Sequence, residues 1–87
     1  MTHVLKILES FTNAILTGDK TFEVRENDRG YQKGDLVWFK PVDKFGNKVF
    51  GNDIEEKTYE ITYVLSGWGI KEGWVVFGIR EIKVAGK

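Results

Sequence analysis

Apolar and polar positions alternate most regularly between Lys57 and Ser66, where Tyr59, Ile61, Tyr63 and Leu65 are set against Thr58, Glu60, Thr62 and Val64. This period of two predicts a strand. Earlier, His3 to Leu8 is aliphatic and β-branched and ends at polar Glu9 and Ser10, which predicts a first strand buried on both faces. From Ser10 as N-cap, Phe11, Ala14, Ile15 and Gly18 recur at helical spacing and predict a helix of about two turns, stopped by Gly18. Thr21 to Arg25 reads as a second strand with Phe22 and Val24 on one face and Thr21, Glu23 and Arg25 on the other.

Glu26 to Gly34 has the composition of a loop, apolar only at Tyr31. Leu36 to Phe39 is a continuous apolar run within a third strand, Asp35 to Pro41, which such a run predicts to be covered on both faces and which ends at the only proline. Val42 to Asp53 reads as an extended hairpin tip exposing Phe45 and Phe50. Gly67 to Gly73 is a glycine-punctuated loop carrying Trp68, and Trp74 to Ile79, with Ile82 and Val84, supplies the closing strands. About five or six short strands with one short helix after the first predict a mainly β (α+β) domain, a closed or half-closed barrel without aggregating edges. A plain α+β sandwich is the alternative.

The chain has 87 residues, enough for one domain with a small core, and its aromatic residues suit a compact sheet. Thirteen acids balance thirteen bases, so nucleic-acid binding would need a local patch rather than a global positive field. Without cysteine there is no disulfide framework, thiolate zinc site or thiol nucleophile, which fits a cytoplasmic protein. No cofactor, metal or membrane segment is expected, the one histidine being unable to form a cluster alone.

The candidate chemistry gathers around the second strand. Arg25 offers a planar fork for phosphate or carboxylate, Lys20 a point charge, and Glu23 an acceptor or general base. The competing expectation is an exposed strand face laced by weak ion pairs. His3 is a secondary site candidate that is more simply a hydrogen-bonded structural residue. Asn27, Asp28 and Arg29 either meet ligand or pin their loop through side-chain to backbone bonds.

These residues carry a resemblance. His3-x-Leu5-Lys6-Ile7, Gly18-x-Lys20-Thr21-Phe22-Glu23-x-Arg25-x-Asn27-Asp28-Arg29, Gly34-Asp35 and Val75-Val76-Phe77-Gly78-Ile79 together resemble the ASCH (activating signal cointegrator homology) family over nearly the whole chain, and more narrowly a small bacterial and phage branch of it without assigned function. The resemblance implies a PUA-like barrel with a helix after its first strand, and an RNA- or nucleotide-related role with Lys20, Glu23 and Arg25 lining a cleft. One family enzyme deacylates N4-acetylated cytidine and another is a ribonuclease. The first is similar at Lys20 but has a threonine nucleophile where this chain has Glu23, and Thr21 directly follows the lysine, so that chemistry does not carry over.

Three readings follow. In a binding module, Lys20 and Arg25 hold phosphate while Trp68 or Tyr31 stacks a base, unless Trp68 instead packs over the barrel mouth. In a hydrolase acting on a modified nucleoside or RNA, Glu23 is the general base, Lys20 tunes it and Arg25 stabilises developing charge. In an interaction protein, Phe45 and Phe50 seed an interface with a partner the sequence does not name.

Overall fold

The computed structural model describes residues 1–83. Five strands, β1 (Thr2–Leu8), β2 (Phe22–Glu26), β3 (Leu36–Val42), β4 (Thr58–Leu65) and β5 (Trp74–Ile82), form one sheet in the order β1-β3-β4-β5-β2, with helix α1 (Glu9–Leu16) after β1. β1 runs parallel to β3, and the other neighbours are antiparallel. The sheet curls into a half-barrel whose two edge strands, β1 and β2, flank an open seam. The expected mainly β architecture with one early helix is therefore the one found.

The inner face carries the core. Leu5 and Ile7 from β1, Val37 and Phe39 from β3, Tyr59 and Ile61 from β4, and Val75, Phe77 and Ile79 from β5 are all buried. Burial on both faces, expected for β1 and β3, does not occur. Val4, Lys6 and Leu8 face outward on β1, Trp38 and Lys40 on β3, because no layer covers the outside of the parallel pair. Pro41 is tolerated because β4 pairs with β3 only at Leu36 and Val37, leaving the proline beyond that ladder.

The alternation of β4 breaks once. The register against β5 shifts between Ile61 and Tyr63, so Tyr63 turns outward to 65 % exposure although it shares parity with buried Ile61. Gly78 faces this bulge, and any side chain there would collide with Thr62 Oγ1.

Helix α1 begins at Glu9, with Leu8 in the N-cap position and no side-chain cap, so Ser10 does not cap it. Its buried residues are Thr12 and Ile15, whereas Phe11, expected on the apolar face, points away from the core. Thr12 is satisfied in place: its hydroxyl donates to the Glu9 carbonyl and accepts from Asn52 Nδ2. Gly18 ends the helical region at φ 85°, a left-handed position suited to glycine. The segment between β3 and β4 is less of a hairpin than expected, joined by the single bridge Val42–Lys48 and followed by a 3-10 turn, Asp53–Glu56, that sequence periodicity did not indicate. The closing segment is one strand to Ile82; Val84, expected to extend it, lies outside the described residues.

Candidate functional site

At the seam the backbone ladder is absent and side chains replace it. Glu23 and Arg25 share the inward face of β2, two residues apart, while Phe22 and Val24 point outward at 44 % and 51 % exposure. The expected exposed, ion-paired strand face is thus inverted: the charged side faces the barrel, and Glu23 is only 4 % exposed. The burial is tolerable because the carboxylate is almost fully bonded. Oε1 accepts from Arg25 Nε at 3.0 Å and Nη2 at 2.9 Å, and Oε2 accepts from Lys20 Nζ at 2.5 Å. Three of about four acceptor directions are thereby occupied.

The two cations then reach the edges. Arg25 Nη2 donates to the Lys6 carbonyl of β1 at 2.6 Å, and Lys20 Nζ donates to the Phe22 carbonyl of β2 at 2.7 Å. Lys20, Glu23 and Arg25 therefore form a clasp whose Arg25 reaches from β2 to β1, two strands that share no ladder. The Lys20 ammonium also lies 5.3 Å and 5.0 Å from the ring centres of Phe11 and Phe22, within cation–π range.

Over the clasp opens a cleft of about 700 Å³, a size that suits a small-molecule or nucleotide site. Lys20, Glu23, Arg25, Asp28, Arg29 and Tyr31 all line it, so the structure brings together six of the residues singled out from the sequence. Arg29 and Lys6 line the cleft, and their side chains have no hydrogen-bond or ion-pair partner among the described residues.

Tyr31 corrects an expectation. At 5 % exposure it offers no face for stacking; its ring is packed edge-on against His3 and tilted on Phe77, each 4.8 Å away. Its hydroxyl has no partner among the described residues, yet unlike that of Tyr59 it is not sealed from solvent. Burial, against the pull of the Arg25 guanidinium, holds the phenol above its ordinary pKa, so at neutral pH it is a hydrogen-bond donor. Tyr59, by contrast, is buried in the core and pushed up to about 12 by desolvation and by Glu81.

The remaining candidates lie off the cleft. His3 is buried, with Nε2 2.8 Å from Asp35 Oδ2, and plays the structural part. Asn27 pins its loop by accepting the Tyr31 N–H on Oδ1, but Asp28 and Arg29, grouped with it from the sequence, line the cleft. Trp68 does not cover the barrel mouth; it is 91 % exposed and outside the cleft lining. Phe45 and Phe50 are exposed beside lysine ammoniums, also away from the cleft.

Sequence reasoning missed Phe11, Trp74 and Lys6 as cleft residues. Phe11 looked like core because its helical phase is apolar, and Lys6 became visible only once β1 and β2 were known to be the two edges.

A model of a domain of unknown function, DUF3850, matches residues 2–79. The chain belongs to the DUF3850 family. The match spans β1 through most of β5 and so includes the whole clasp and every cleft residue. No curated protein matches the chain closely enough to add a relative. No helix of the described residues in this DUF3850 domain is long and apolar enough to cross a membrane.

Proposed function

We propose that this DUF3850 domain is a cytoplasmic binding module that takes a nucleotide unit, free or within RNA, into the seam cleft. The observation that carries the reading is the lining itself: the cleft is lined by Arg29 and Lys6, whose side chains have no partner among the described residues, by Phe11, Phe22 and Trp74, and by Tyr31, whose hydroxyl likewise has none among them. Phosphate suits the cations, a base suits the aromatic surfaces, and a carbonyl or ring nitrogen suits the phenol donor. Lys20 and Arg25 contribute mainly by shaping the wall, since most of their donors are held by Glu23 and the strand edges. The same engagement argues against Glu23 as a general base, because three of its about four acceptor directions are already taken and little of the carboxylate is left to meet water.

The Gly-x-Lys-x-x-Glu-x-Arg core, on which the chain resembles the ASCH family, coincides with the clasp. That coincidence supports reading the domain as a relative of the PUA-like barrels and the cleft as their nucleic-acid side.

The test is titration of isotope-labelled protein with the four nucleoside 5′-monophosphates and short RNAs. Shifts are expected at Tyr31, Arg29 and the β2 amides, with affinity falling as ionic strength rises. Arg29→Glu should weaken binding without altering the fold, because its side chain bonds to nothing among the described residues. Saturation that ignores salt and Arg29, or no binding by any of these probes, would remove this reading.

A further inference from the structure

Trp68 is held in a way its packing does not explain. It is 91 % exposed and sits at φ 54°, a left-handed conformation that a bulky side chain rarely adopts, between Gly67 at φ 72° and Gly69 at φ 86°. A glycine would take this position freely, so the ring is presented at a conformational cost. Backbone bonds hold the loop: the Ile70 N–H closes the turn on the Gly67 carbonyl at 2.9 Å, and the Asn27 N–H bonds the Gly73 carbonyl at 2.8 Å. That second bond ties the loop to the segment that carries Asp28 and Arg29 to the cleft. Trp74, which follows that loop in the chain, is itself a cleft residue and the register partner of Glu26, with the Lys71 ammonium 5.9 Å from its ring centre.

Along the chain the order is Trp68, Lys71, Trp74, the last of these lining the cleft: two indoles with a cation between them in the sequence. We infer that Trp68 is a second stacking station for single-stranded RNA, receiving a base next along the strand from the nucleotide held in the cleft. The inference rests on the nucleotide reading of that cleft and extends it from one nucleotide to a strand. Aromatic platforms alternating with cations are how single strands are held without base-edge readout. A duplex fits poorly, because its bases are already stacked on one another. A protein partner is less favoured, since the residues on either side of Trp68 in the chain are glycines, which supply none of the apolar surround that shields an interface hot spot from water.

The experiment measures affinities of the wild type, Trp68→Ala and Trp68→Phe for uridine 5′-monophosphate, for an oligouridylate of about eight nucleotides, and for that oligomer annealed to oligoadenylate. The expected result is that the single strand binds the wild type more tightly than the mononucleotide does and the duplex gains nothing. Trp68→Ala should then weaken the single strand by about tenfold while leaving the mononucleotide unchanged, with Trp68→Phe in between. At 91 % exposure Trp68 takes no part in the core, so both variants should fold. If the mononucleotide binds but Trp68→Ala leaves the single strand unaffected, or the duplex binds as tightly as the strand, the second station is wrong and the cleft reading stands. If neither probe binds the wild type, both fall together.

Discussion

The barrel is held shut in two different ways on its two sides. Across β3, β4 and β5 the strands are joined by backbone ladders over a dry core that includes Val37, Phe39, Ile61 and Phe77, each 0 or 1 % exposed. Across the seam the link is made by side chains: Lys20 and Arg25 both bond Glu23 on the β2 side, and Arg25 reaches over to the Lys6 carbonyl of β1. A ladder uses up the groups that make it and leaves a surface with nothing to offer. A side-chain clasp also neutralises the edges, which would otherwise invite pairing with another chain, but it leaves room above itself. The cleft lies over the clasp for this reason.

The largest expected effect lies on the laddered side. Phe77→Ala removes a fully buried ring packed on Tyr31 and should cost about 3 to 5 kcal/mol in urea unfolding. Glu23→Gln attacks the seam instead. It keeps the shape but leaves Lys20 and Arg25 facing a neutral amide, and it should cost about 1 to 3 kcal/mol. The two variants should also differ in where they act: amide exchange should quicken throughout the sheet for Phe77→Ala, and first at β1 and β2 for Glu23→Gln. If Glu23→Gln were as stable as the wild type, the clasp would be decoration on a fold closed by other means.

A third change probes the one fault in the ladder. Gly78→Ala would drive a methyl group into Thr62 Oγ1 at the bulge and should cost about 1 to 3 kcal/mol. Adding Thr62→Ala removes the obstructing hydroxyl, and the double variant should recover most of the loss. A pair that simply summed its two costs would mean that the bulge is not shaped by this contact.

These comparisons bear on how far the sequence could be read. Strand and helix positions follow from local periodicity, which is why β1, β2, β3, β4, β5 and α1 are all legible at their approximate bounds. Which face of β2 turns inward is not legible, because parity separates Phe22 and Val24 from Glu23 and Arg25 without saying which pair the fold will cover. The usual rule would bury the apolar pair. It fails because β2 is an edge strand whose inner face meets a polar gap at the seam, and because Glu23 arrives with two cations bonded to it. The flip at Tyr63 was hidden for a similar reason: a bulge adds one residue to one strand and leaves the alternation of the sequence untouched. The partnership of His3 with Asp35 was equally invisible, since nothing in their spacing announces that β1 and β3 lie side by side in parallel.

That partnership supplies the smallest test and qualifies the contrast, because it is a side-chain tie on the laddered side. Asp35 stands just before β3; its carboxylate meets His3 Nε2 at 2.8 Å and accepts the Gln32 N–H at 3.1 Å, while its backbone carbonyl accepts the Ile61 N–H of β4 at 2.8 Å. Burial pushes its carboxyl up, but the bonds from His3, the Gln32 amide and the Met1 amino group outweigh that, and the carboxyl lies below its ordinary range. A carboxyl depressed by folding stabilises the protein fully above its unfolded value, about pH 4, and loses that contribution as pH falls through the folded value. Asp35→Asn removes the charge but keeps the size. The variant should therefore be less stable than the wild type above about pH 4, with the gap narrowing below that, as read from urea midpoints along a pH series. A gap that stayed constant into strong acid would assign the role of Asp35 to its shape and backbone rather than to its charge, and the strands on that side would then depend on their ladders alone.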